Sequence, residues 1–132
     1  MKVFVFAGEF KSREDACLYS EPQWEPEPDE SVSDEEYMEW EERNPVHGLK
    51  DNINTHLDSD YIETVDLNYG YLSSLNVKDE DINKLRETIL PNFNYMVLVF
   101  EDALGGFELD ATPCSNRFLK YCGRYEFSWP ST

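Results

Sequence analysis

Two unbroken apolar runs stand out along the chain, Val3 to Ala7 and Met96 to Phe100. The first belongs to KVFVFAG, Lys2–Gly8, whose β-branched and aromatic residues predict a buried strand ended by glycine. The second is YMVLVF, Tyr95–Phe100. With no polar residue after Tyr95, it predicts a strand buried on both faces at the centre of a sheet.

Between these runs the spacing changes. Ser12 offers an N-cap, and Glu14 and Asp15 place carboxylates in the first turn of a short helix from Arg13 to about Tyr19. Pro22, Pro26 and Pro28 exclude regular helix from Glu21 to Glu30. Ser33 and Glu36 then form an S-x-x-E capping box opening a helix through about Glu42, with Tyr37 and Trp40 on one side, and Asn44-Pro45 stops it. Val46 to Asp60 reads mostly as loop, with at most a short helical piece over Leu49 to His56. YIETVDLNY, Tyr61–Tyr69, alternates imperfectly, with Tyr61, Val65, Leu67 and Tyr69 opposite Ile62 and Thr64. That pattern admits a strand, an extended loop or a short helix near its start. Asp79 to Leu90 is a clearer helix: Ile82, Leu85, Ile89 and Leu90 recur at helical spacing, acids fill the first turn and Pro91 follows.

Gly105-Gly106 predicts a turn joining Tyr95–Phe100 to a strand over Phe107–Ala111 as an antiparallel hairpin. A last strand, FLKYCGRYEF, follows Pro113 and Asn116, with a bulge expected at Gly123. The order of elements predicts an α+β fold: one domain over residues 1–132, with a mostly antiparallel four-stranded sheet and helices packed on one face. Residues 21–45 enter it as an inserted acidic, proline-rich loop plus short helix.

The charge changes this picture most. The chain has 132 residues, 28 acidic and 11 basic, for a net charge of −17, yet is 40% hydrophobic and 14% aromatic. Those numbers favour a globular domain whose charge is concentrated rather than spread. The concentration lies in EPQWEPEPDESVSDEEYMEWEER, Glu21–Arg43, where eleven carboxylates against one arginine leave −10. A solvated acidic face would be the plain reading of such a run. Trp24, Tyr37, Met38 and Trp40 argue for more, because they either dock the segment on the body or meet a partner. Gathering like charge costs stability, whereas a negative surface speeds docking on a positive one. Direct binding to nucleic acid is disfavoured, since each phosphate contact requires a cation.

Catalytic and metal-binding patterns are weak. His47 and His56 lie nine positions apart without helical i, i+4 spacing, and neither Asp58-Ser59-Asp60 nor Asp79-Glu80-Asp81 sits in a twelve-residue calcium loop. No G-x-S-x-G elbow and no phosphate-cradling glycine loop is present. The expectation is a protein that is not an enzyme and has no cofactor or metal. Cys17, Cys114 and Cys122 have no metal-ligand spacing and read as reduced thiols, implying a cytoplasmic protein. Lys2 is followed by only five apolar residues, too few for a signal-peptide core or a membrane span.

The opening FAGEFKSREDACLY, with Gly8, Phe10, Ser12, Glu14 and Tyr19, resembles the G-x-F-x-S-x-E-x-x-x-Y start of the immunity protein 22 family, found beside bacterial polymorphic toxins. The closing LKYCGRYEF, with Leu119, Gly123, Tyr125 and Phe127, is similar to that family's aliphatic–glycine–aromatic ending. The resemblance covers about a third of the chain and implies a small cytosolic protein that binds and neutralises a cognate toxin, often a nuclease. It implies no catalytic residues. Electrostatics leads separately to a basic protein partner, with Trp24, Glu25, Glu35, Glu36, Tyr37, Glu39 and Trp40 as the expected contacts. Two alternatives share the charge: a phage or mobile-element nucleic-acid mimic that blocks a DNA-binding defence protein, and a small carboxylate-based enzyme or divalent-ion module.

Overall fold

The computed structural model describes residues 1–44, 48–53, 57–104 and 113–130. Among these residues four strands, β1 (Lys2–Gly8), β2 (Ile62–Asp66), β3 (Tyr95–Phe100) and β4 (Lys120–Glu126), form one antiparallel sheet in the order β2-β3-β1-β4. Four α-helices among the described residues accompany it: α1 (Arg13–Ser20), α2 (Asp34–Arg43), α3 (Tyr69–Ser74) and α4 (Asp79–Thr88). The expected single α+β domain is present, and no described helix is long and apolar enough to cross a membrane.

The two apolar runs become the two central strands, paired Val3 to Phe100 through Gly8 to Tyr95. Because side chains alternate across a strand, one unbroken run must supply two cores. Val3, Val5, Ala7, Met96, Leu98 and Phe100 line one face, under Leu72 and Leu75 of the α3 region and Ile82, Leu85 and Ile89 of α4. Phe4, Phe6, Val97 and Val99 line the other, under Leu49, Ile53, Leu57 and Leu104, with Tyr19 of α1 packed alongside. Helices on one face was therefore too simple an expectation. The unbroken runs require cover on both sides, and α1 with short 3₁₀ turns provides it where α3 and α4 do not.

Local signals operate as their chemistry predicts. Ser12 Oγ accepts from the Asp15 amide at 3.2 Å and Ser33 Oγ from the Glu36 amide at 3.2 Å. β4 shifts register between the partners of Val5 and Phe6, leaving Cys122 as the extra residue of a bulge beside Gly123, whose φ is +125°. The tyrosine–asparagine stretch resolves into β2 followed by α3, a helix absent from the expectations. Six residues are too few to hold a helix by propensity. Here Asn68 caps the Gly70 amide at 2.9 Å, Leu72 is buried, and Tyr71 donates a hydrogen bond to the Glu63 carboxylate. Burial, then that carboxylate, pushes the Tyr71 hydroxyl up to about 12. Near Leu49 the expected helical piece is a 3₁₀ turn, Gly48–Asp51. The Gly105-Gly106 turn and the Phe107–Ala111 strand lie outside the described residues.

A buried polar knot ties the loop before β4 to the rest. Asn52 is 1% exposed; its Nδ2 donates to the carbonyls of Cys114 at 2.9 Å and Leu119 at 3.3 Å. Its Oδ1 accepts from the Tyr19 hydroxyl at 2.7 Å and from Asn116 Nδ2 at 3.2 Å. All four hydrogen-bonding positions of the amide are filled.

Candidate protein-binding face

Residues 21–44 fold around one side chain. Trp40 is 9% exposed, and its ring lies 5.8 Å from that of Trp24 and 5.5 Å from that of Tyr37. Its indole N–H donates to the Glu25 carbonyl at 3.2 Å. Asn44, just past α2, closes a clasp: Nδ2 donates to the Trp40 carbonyl at 2.7 Å, and Oδ1 accepts from the Glu25 amide at 2.8 Å. Arg43 Nε adds an ion pair to Glu25 at 2.8 Å, and the Tyr37 hydroxyl donates to Glu27 at 3.0 Å. That hydrogen bond, followed by the Glu27 charge, raises the Tyr37 pKa. The prolines keep the loop extended, and the clasp lays it along the inner side of α2.

All eleven carboxylates of the segment are exposed, and among the described residues Glu25 alone has a cation partner. Asp34, Glu35 and Glu36 suit the positive end of α2. Glu41 and Glu42 do not: a carboxylate at the negative end is disfavoured by about 0.3–1 kcal/mol. The helix thus carries more negative charge than its own stability favours.

The expected contacts separate into two groups. Trp24, 61% exposed, and Glu35, Glu36 and Glu39 present themselves to solvent. Trp40 is corrected: it is the interior of the segment, so it positions the surface rather than forming it. Glu25 and the half-buried Tyr37 are likewise engaged within the clasp, though both retain exposed surface. Met38, 58% exposed, also faces solvent and is not among the expected contacts. The signal was available in the spacing, because Glu35, Met38, Glu39 and Glu42 stand at i, i+3, i+4 and i+7 on one stripe, opposite Trp40. Each is exposed. An apolar thioether ringed by carboxylates is chemically suited to a cationic partner with an apolar centre.

Replacing Trp40 by alanine should release this segment alone. Core Trp→Ala changes cost about 3–5 kcal/mol, and the ring packs on its own loop. Hydrogen exchange should show lost protection in α2 with β1 and β3 unaltered; equal loss in the sheet would contradict the clasp.

Other candidates have structural roles. Asp58 Oδ1 accepts from the Asp60 amide in a turn, and Asp79 to Asp81 occupy the first turn of α4. His47 and His56 lie outside the described residues; among those described, no group of three or more His, Cys, Asp or Glu could hold a metal ion. Burial pushes the Cys122 thiol up to about 11. The residues of the two end motifs are architectural as well. A Cβ on Gly8 would clash with the Phe118 carbonyl, Phe10 packs on Tyr19, and Ser12 caps α1. Leu119 and Phe127 are buried, and the Tyr125 hydroxyl donates to the Cys122 carbonyl at 2.6 Å.

Comparison with protein-family models, curated proteins and solved structures finds no match. The likeness to immunity protein 22 rests on the quoted end residues, which build the scaffold rather than the acidic face.

Proposed function

We propose that this chain is a non-enzymatic inhibitor, an immunity protein that neutralises a bacterial toxin by covering its basic, nucleic-acid-binding surface. The observation that carries the reading is the clasped acidic segment: eleven solvent-facing carboxylates held in a defined shape around Trp40, with Trp24 and Met38 exposed among them. Loose acidic tails solubilise without such a core. A preorganised face loses less entropy on binding, and its charge raises the encounter rate with a cationic surface. Met38 supplies an apolar point on the outward stripe of α2, and Trp24 supplies another beside Trp40; Glu35, Glu36, Glu39 and Glu42 supply the charge. A nuclease is the favoured toxin class, because its substrate groove must be cationic.

Capture on the immobilised protein should retain a basic protein that elutes with rising salt, and co-expression with the captured protein should restore growth where that protein alone is toxic. An acidic eluate, or a failure to restore growth, would reject the reading.

A further inference from the structure

One recess reverses the charge of the molecule. It is a cavity of about 360 Å³ at the junction of the β1 exit and the loop entering β4. Lys11, Arg117 and Lys120 border it, and Glu9 is its single acid among the described residues. With 28 acidic and 11 basic residues in the chain, a surface patch drawn at random holds between two and three acids per cation. Here the ratio is inverted, and no residue of 21–44 takes part.

The cations are held where a ligand could use them. Arg117 lies with its guanidinium carbon 4.6 Å from the centre of the Phe118 ring, which leaves its N–H fork without a described hydrogen-bond acceptor. Among the described residues Lys120 Nζ donates once, to the Thr88 carbonyl at 3.0 Å, and an ammonium has three donors. Lys11 has no ion-pair partner among the described residues. The acid is restrained, since Glu9 Oε2 accepts from Asn92 at 2.6 Å.

The walls are preorganised. Asn94 pairs with the backbone of Phe10, accepting from its amide at 2.9 Å and donating to its carbonyl at 2.8 Å. Asn116 Oδ1 accepts from the amides of Phe118 and Leu119 at 2.8 and 3.0 Å. Gly8 lets the two walls approach, and Phe10, Phe93 and Phe118 line the recess between the charges.

We propose that this recess is a binding site for a small anion borne on a flat ring, an aryl or heterocyclic phosphate or carboxylate. The guanidinium and ammonium groups take the anion, and the phenylalanine rings take the plane. Its volume falls at the small end of ligand sites, which excludes large polyanions from entering whole. Distant acids oppose entry only weakly at physiological salt, because screening removes their effect beyond about 8 Å. The site is independent of the proposed inhibitor activity.

Amide chemical shifts of the full chain during titration with phenyl phosphate, benzoate and inorganic phosphate test this. Phenyl phosphate or benzoate should shift the amides of residues 9–11, 92–94 and 116–118 saturably, and whichever binds more tightly names the anion. A Lys11→Gln/Arg117→Gln variant, altered only at exposed side chains, should lose about tenfold in affinity while keeping its melting temperature. The proposal is overturned by an absence of saturable shifts up to about 10 mM, by undiminished affinity in the double variant, or by inorganic phosphate binding as tightly as the ring-bearing probes.

Discussion

Association of this protein with the proposed basic partner should slow by about 100-fold at low ionic strength when Glu35, Glu39 and Glu42 are together replaced by lysine. The three share the outward stripe of α2 with Met38 and are exposed, so the substitution reverses the face without opening a core. Helix energetics roughly cancel. Lysine at position 35 opposes the positive helix end, whereas lysine at position 42 suits the negative one, each by about 0.3–1 kcal/mol. Far-ultraviolet circular dichroism should therefore be unchanged. Stopped-flow association rates between low and physiological salt give the readout: the parent should lose speed steeply as salt rises, and the variant should be slow throughout. If both proteins associate at one rate with one salt slope, electrostatic docking through α2 is wrong, however tightly the partner binds.

Changing Asn52 to alanine should cost about 3 kcal/mol and lower the melting temperature by about 10 °C. One buried amide serves four partners: the Tyr19 hydroxyl, Asn116 Nδ2 and the carbonyls of Cys114 and Leu119. Asn116 retains its bond to the Tyr19 hydroxyl and its amide still donates to the Leu119 carbonyl at 2.9 Å, so what is lost is the side-chain donor to the Cys114 carbonyl and the second donor to that of Leu119. Each buried polar group left unsatisfied costs about 1–3 kcal/mol, far more than an exposed hydrogen bond contributes. Urea unfolding would report the loss directly. A change below about 0.5 kcal/mol, the scale of a surface substitution, would mean that water replaces the amide and that the knot does not anchor the loop before β4. Because Asn116 also shapes the cationic recess, this variant should weaken phenyl phosphate binding as well, through geometry rather than charge.

Much of the frame was legible because its determinants are local. The caps at Ser12 and Ser33, the bulge beside Gly123 and the apolar face of α4 each depend on residues within a few positions of one another, which is the range over which spacing carries information. β3 was recognisably central because its run has no polar side to give to solvent. The same fact, applied equally to β1, requires cover on both faces of the sheet, which α1 and the 3₁₀ turns supply opposite α3 and α4. α3 was hidden for the opposite reason: Tyr69 to Ser74 has no local strength and is helical because Leu72 is buried against strands distant in sequence.

The candidate face divides along the same line. Position in sequence established that the negative charge is gathered in Glu21–Arg43 and that a helix begins at Ser33. Which tryptophan meets solvent depended on the fold: Trp24 and Trp40 are equally apolar in sequence, and only the clasp through Glu25 and Asn44 buries one beneath the other. The cationic recess joins residues from position 9 to position 120, through asparagines whose partners are more than eighty positions away in the case of Asn94. A hydrogen bond across such a separation leaves no periodic trace along the chain. Charge and local geometry are therefore properties of the sequence, whereas burial and convergence are properties of the packing, since they depend on which distant neighbours displace water.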